Sequence, residues 1–233
     1  MFAPKHLDQM QTIISKQTFQ FLTDLKENND RDWFQANKPR YEAAKKEFEQ
    51  FISALLKEIE RFDPTIAHHR AKDCIFRIYR DVRFSNDKSP YKTHFGAHIT
   101  SAAKRSEIHS RAGYYIHLEP GASMLAGGAY MPQGPWLKAI RQEIAYESTE
   151  FKKILNSQSF RHYFGEMEGE KLKTTPRDYP ADHPEIELLR HKSFLATHRC
   201  SDGQVLAGDF LNQCGNVFQA LFPFDQFLNR ALD

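Results

Sequence analysis

The densest run of reactive side chains in this chain is FRIYRDVRFSNDKSPYKTHFG, Phe76 to Gly96. Within it Arg77, Arg80, Arg83, Lys88 and Lys92 are interleaved with Tyr79, Phe84 and Tyr91 and with two carboxylates, Asp81 and Asp87. Three guanidiniums within seven residues repel one another unless anions lie between them. Asp81 and Asp87 supply part of that compensation. A bound phosphate or carboxylate could supply the rest, because the planar arginine fork matches such oxyanions two bonds at a time. The residues alone allow three readings: an internal ion-pair network, a site for an external anion, or unconnected solvated charges.

In the anion reading Arg77, Arg80 and Arg83 hold the ligand, Lys88 and Tyr91 flank it, and Asp81 or Asp87 orients the arginines or acts as a base. A carboxylate held between arginines stays ionised, which favours the orienting role. The expected function is therefore a small-molecule site for a phosphate- or carboxylate-bearing ligand, with catalysis open. One alternative is a nucleic-acid or protein interaction module in which Tyr79, Tyr91 and Tyr114 serve as stacking surfaces. The other is a purely structural motif, in which loss of Arg77 or Asp81 strands a buried partner at a cost of several kcal/mol.

Other chemistry is less well marked. Among the 11 histidines, His94 and His98 are four apart and His117 is two from Glu119, so either pair could face one side of its element. No HEXXH and no third ligand at diagnostic spacing accompany them, and no metal or cofactor is expected. GxSxG, GxGxxG and Walker motifs are absent. Cys200 near His198 reads as ordinary packing. Cys74, Cys200 and Cys214 are an odd, widely spaced set that reads as buried reduced thiols in a reducing compartment.

The 233 residues carry 32 Lys+Arg against 30 Asp+Glu, a net charge of +2, which excludes a polybasic protein. Resolved by segment, residues 70 to 111 hold 10 basic and 4 acidic groups, an island of +6 in a body of −4. A chain of this length hides about 70% of its unfolded surface, enough for one domain, residues 1 to 233, without disulfides. No apolar run approaches 18 residues, and MFAPKHLDQMQTIISKQTF lacks the pattern of a secretory signal, so a cytoplasmic protein without a membrane partner is expected.

The elements that must position the motif follow from periodicity. Apolar residues at 41, 44, 48, 51, 52, 55, 56, 59 and 62 mark a helix opened by Pro39 and ended by Asp63-Pro64. A shorter helix carrying Phe19 to Leu25 precedes it, and Asp30 caps a further turn with Trp33 and Phe34. Cys74 to Tyr79, Phe95 to Ser101, Tyr114 to Glu119 and Ser123 to Ala129 read as strands, the last two joined at Glu119-Pro120-Gly121-Ala122. For the first of these a helical spacing also fits. Helix returns at Pro135-Trp136 and over 149 to 164, and a loop spans 165 to 184. Ser193 to His198 reads as a returning strand. A helical stripe runs from an N-cap at Asp202 to Leu221, and Pro223 opens a last short helix. Strands grouped between helical ends predict an α+β fold, a mostly antiparallel sheet from the middle of the chain packed with N-terminal and C-terminal helices.

The motif Arg77, Arg80, Asp81, Arg83, Phe84, Asp87, Lys88 and Tyr91 resembles the RxxRDxRF…DKxxY signature of an uncharacterised bacterial family, domain of unknown function 2461. The similarity extends to Asn28-Asn29, Trp33-Phe34, Lys38-Pro39-Arg40-Tyr41, Gly113-Tyr114-Tyr115 and Gly127-Gly128-Ala129-Tyr130. The resemblance implies an α+β bacterial domain and brings no activity with it.

Overall fold

The apolar stripe through Tyr41 forms a 23-residue helix in the computed structural model, which describes residues 13–83, 86–102 and 109–232. Three helices make the N-terminal part: α1 (Lys16–Glu27), α2 (Arg31–Ala36) and α3 (Lys38–Glu60). Ser15 and Asp30 cap the first two by accepting the Thr18 and Trp33 N–H groups, and Pro39 sits in the first turn of α3. Phe48, Phe51, Ile52, Leu55 and Ile59 of α3 are fully buried, as steps of three and four require. A single turn, α4 (Ala71–Cys74), follows.

Four strands, β1 (Phe95–Thr100), β2 (Gly113–Leu118), β3 (Met124–Ala129) and β4 (Phe194–Arg199), form one antiparallel sheet in chain order. The β2–β3 turn closes through the Ala122 N–H, which donates to Glu119 C=O at 2.9 Å, with Gly121 at φ 76°. Proline second and glycine third are the residues a type II turn demands. Alternation sorts the side chains by face. Phe95, Ala97, Ile99, Tyr114, Ile116, Leu118, Leu125, Phe194 and Ala196 are buried toward the helices. The opposite face carries His98, Tyr115, His117, Met124, Ala126, Leu195 and Thr197, all half-buried.

The remaining helices are α5 (Gly134–Tyr146), α6 (Ser148–Leu155), α7 (Gln158–Phe164), α8 (Ile186–Leu189), α9 (Asp202–Val205) and α10 (Phe210–Arg230). Helix α10 packs against both β3 and α3, so helices from the two ends of the chain meet over one face of the sheet around a contiguous core. The fold is α+β, as its sequence pattern predicts. Among the described residues no helix is long and apolar enough to cross a membrane. The three cysteines are buried and form no disulfide, and burial pushes the Cys200 thiol up to about 11 and the Cys214 thiol up as well. Neither is an activated nucleophile.

Three local expectations need correction. Cys74 to Tyr79 is not a strand, because Cys74 ends α4 and only Ile75 and Tyr79 form isolated bridges, to Ala97 and Tyr91. The backbone lies along the outer edge of β1 at Phe76, whose N–H donates to Gly96 C=O, then leaves to pair with its own return limb through Arg80 N–H to Pro90 C=O and Lys92 N–H to Ile78 C=O. Pro90 has no N–H to extend that ladder. Asp202 is not the cap of α9. Ser201 caps it in a reciprocal box with Gln204, while the Asp202 carboxylate accepts the Gly121 N–H at 2.8 Å and pins the β2–β3 turn. Pro223 does not open a new helix, since α10 runs through it. Both Pro223 and Gln219, four residues earlier, are exposed, so water can serve the carbonyl left without a donor.

Two asparagines act as substitute strand edges. The Asn29 amide donates to Tyr91 C=O at 2.9 Å and accepts the Tyr91 N–H at 3.1 Å. Asn229, near the end of α10, does the same for Ala112 at 3.1 and 2.8 Å. The first pins the motif's return limb, and the second joins the last helix to the lead into β2.

Candidate functional site

Two of the loop's three arginines are paired with its own two aspartates. Arg83 donates from Nε and Nη2 to the two oxygens of Asp81 at 2.9 and 2.7 Å. Arg80 pairs with Asp87 and donates to Ser89 Oγ at 3.2 Å, and Lys88 Nζ donates to Val82 C=O at 2.9 Å. The Arg83 side-chain hydrogen bond holds the Asp81 carboxyl down to about 2, and hydrogen bonds from Ser89 hold Asp87 below its usual range. Arg77, Asp81, Arg83, Asp87 and Lys88 are exposed, and Arg80 is half-buried. Tyr91, expected to flank a ligand, is buried instead, its ring stacked on Phe34 with centroids 3.9 Å apart. Phe84 lies outside the described residues. Of the three tyrosines expected as stacking surfaces, Tyr79 is exposed, and Tyr91 and Tyr114 are core.

Asp81 therefore strands no buried partner when removed. Its contacts are solvent-screened, and such pairs contribute little. Asp81→Ala should keep the wild-type thermal midpoint, and a fall of several degrees by differential scanning fluorimetry would contradict this placement.

The strand-opposite end of the same segment leads to a second cluster, on the open face of the sheet. Continuing the β1–β2 register places His94 opposite Glu119, as Gly96 is opposite His117 and His98 opposite Tyr115. A Cβ on Gly96 would lie 3.1 Å from Tyr115 Oη, so the missing side chain gives that hydroxyl its room. Tyr115 Oη lies 2.9 Å from His117 Nδ1, and His117 Nε2 lies 3.0 Å from Glu119 Oε2. Thr93 Oγ1 donates to Glu119 Oε1 at 2.8 Å. The His94 ring lies against that of His117, centroids 4.0 Å apart. Three donor atoms, one each from His94, His117 and Glu119, fall within 4.8 Å of one another.

Burial, then the neighbouring His117, depresses His94 to about 4, and burial lifts the Tyr115 hydroxyl to about 12. Burial alone would raise Glu119, but hydrogen bonds from His117 and Thr93 leave it lowered. At neutral pH the cluster thus holds a carboxylate, a neutral imidazole at His94 and an intact phenol. His98, farther along the face, is depressed to about 4 by burial, and its Nδ1 is enclosed without a partner.

His94 and Tyr115 sit at the edge of a cavity of about 490 Å3 whose lining also includes Phe76, Lys92, Met124, Ala126 and Leu195. Lys92 Nζ lies 5.3 Å from the Phe76 ring centroid and donates to Arg77 C=O at 2.9 Å. The segment from Phe76 to Gly96 thereby contributes Phe76, Lys92 and His94 to this cavity, and none of its arginines. Its aspartates and Arg83 are not among the lining residues. A larger cavity of about 560 Å3 lies beside α10, lined by Asp63, Tyr114, Asp225 and Arg230 among others. There Arg230 is held by Glu143 and Glu150 at 2.8 Å each, and Tyr114 Oη donates to Asp63 at 2.9 Å. Arg230 and Asp63 already have partners within the chain, and the further buried group there, Asp225, is acidic, so the open-face cavity with Lys92 in its lining is the better candidate for an anionic ligand.

A family model described as "Conserved hypothetical protein (DUF2461)" matches residues 17–227. The chain belongs to this family. No curated protein and no solved structure matches it. The DUF2461 match spans all four strands, the arginine-rich loop and the His94–His117–Glu119 cluster, so both candidate regions belong to the family's domain rather than to an appendage.

Proposed function

We propose that this protein binds a small molecule with an anionic head in the cavity on the open face of its sheet, and that Phe76 and Lys92, which flank the arginine-rich loop, form part of the cavity's wall. The observation that carries the reading is convergence. Phe76, Met124, Ala126 and Leu195 share the lining of a single cavity with Lys92, His94 and Tyr115. Ligand sites have this character: concave, largely apolar, with a few placed polar groups. A phosphate or carboxylate there meets the Lys92 ammonium and the Tyr115 hydroxyl, while the ligand's body covers the apolar lining. The Tyr115–His117–Glu119 chain of contacts adds a proton path, which equips the same cavity for acid–base chemistry. Three buried, separate thiols suit a reducing compartment, and we assign the protein to the cytoplasm.

The test is a thermal-shift panel of phosphate esters and carboxylates against the wild type, Ala126→Trp, Lys92→Met and Arg83→Ala. At least one class should raise the wild-type midpoint. Filling the cavity with Ala126→Trp or removing its cation with Lys92→Met should abolish the shift, and Arg83→Ala should retain it. A wild type indifferent to every compound overturns the reading. So does a shift that survives in the two cavity variants and vanishes in Arg83→Ala, which would return the ligand to the loop.

A further inference from the structure

We propose that His94, His117 and Glu119 bind a divalent first-row transition-metal ion, of the zinc or iron(II) class, at the edge of the open-face cavity. Two imidazoles and one carboxylate are a borderline donor set that suits these ions, whereas magnesium and calcium prefer oxygen alone. Around a tetrahedral ion with bonds near 2.1 Å, ligand atoms stand roughly 3.4 Å apart. Here His117 Nε2 and Glu119 Oε2 are 3.0 Å apart, and all three donors fall within 4.8 Å.

The surrounding contacts are those a metal ligand needs. Tyr115 Oη lies at His117 Nδ1 and Thr93 Oγ1 at Glu119 Oε1, so two of the three ligands are held from behind with their other donor atom turned toward the cluster. A hydroxyl both donates and accepts, so Tyr115 can serve His117 in either tautomer. Without an ion, Nε2–H donates to Glu119 and Nδ1 accepts from Tyr115. With one, Nε2 binds the ion and Nδ1–H donates to Tyr115 Oη. The side chains of His117 and Glu119 are only 12% and 18% exposed, which limits competition from water. Three protein ligands leave a coordination position for water or a bound molecule, and His94 also lines the cavity.

The full chain, stripped with a chelator and dialysed, would be titrated with zinc and, without oxygen, with iron(II), by isothermal calorimetry. The visible spectrum of the cobalt(II) form would report the donor set. One ion per chain is expected. His117→Ala and Glu119→Gln should weaken binding at least 100-fold, Tyr115→Phe about 10-fold, and His162→Ala, an exposed histidine on α7, should bind as the wild type does. Glu119→Gln keeps the side chain's shape and guards against a loss caused by misfolding. Absence of stoichiometric binding by the wild type, or equal binding by the wild type and Glu119→Gln, overturns the proposal. Repeating the compound panel on stripped protein separates this inference from the cavity reading: a ligand shift that persists without any metal binding leaves that reading standing and removes this one.

Discussion

Replacing Gly128 by alanine should cost the fold about 3 kcal/mol or more. Gly128 lies in β3 at φ 108°, a conformation that side chains other than glycine's rarely adopt. A Cβ there would lie 2.1 Å from Phe194 C=O on β4 and 2.9 Å from the Phe224 ring of α10. Neither neighbour can yield cheaply, because Phe194 and Phe224 are both fully buried. Gly121→Ala is the matched control. It has a positive φ of 76° with nothing within 4 Å of its Cβ, so only the left-handed backbone is penalised, at about 1–2 kcal/mol. Urea denaturation of both variants measures the difference. Equal losses would mean that β4 moves aside, and that the floor of the open-face cavity is less fixed than the close approach indicates.

Asp225→Asn should act in the opposite direction, stabilising the protein by about 1–3 kcal/mol at pH 8 and by little at pH 4.5. The wild-type carboxyl is buried on α10, neither oxygen forms a hydrogen bond of ordinary geometry, and Asp63 lies nearby. Burial first, and Asp63 second, raise it well above the usual carboxylate range, and the Gly128 N–H offsets this only in part. A folded value above the unfolded one means that folding takes up a proton. The contribution to stability is complete below the unfolded value near 4 and is lost as pH rises toward the folded one. His94 and His98 slope the other way, because their folded values near 4 lie below the unfolded value near 6.5. Their contribution is complete above 6.5 and fades as pH falls toward 4. Subtracting the variant's stability from the wild type's at each pH cancels the histidines and isolates Asp225. A wild type more stable than Asp225→Asn at pH 8 would show that the carboxylate has a partner.

The fold was legible wherever one local rule decided the outcome. Steps of three and four marked α1, α3 and α5, Asp30 marked the start of α2, and Pro120-Gly121 marked the β2–β3 turn. Misplaced features were those with two local solutions. Ser201 and Asp202 are both competent caps, and the Gly121 N–H, 81 residues away in sequence, engages Asp202. Ile75 to Tyr79 fits a strand or a helix by spacing, and the decision came from the β1 edge and from Asn29. The candidate site was legible in halves. His117 and Glu119 stand out on a strand two residues apart, and His94 stands out as well, but the sequence spacing coupled His94 to His98. What couples it to Glu119 is the β1–β2 register, and the intervening stretch from Ser101 to Ala112 is too long for its length to dictate that register. Asp225 carried a local signal that composition obscured: one acid inside LFPFDQFL, on the buried face of a helix.

The joining of Asn229 to Ala112 has a consequence for synthesis of the chain. Helix α10 emerges after every strand it covers, yet its Phe218, Leu221 and Phe224 form the far wall of the core. While the polypeptide is being made, β1 to β3 can pair early and α3 can cover β1, but the part of the apolar face that α10 covers, at β3, stays open until residue 210 has been made. Nascent chains halted before residue 210 should therefore be sticky, chaperone-bound species, and the sheet's helical side closes only when α10 and its asparagine latch have left the ribosome.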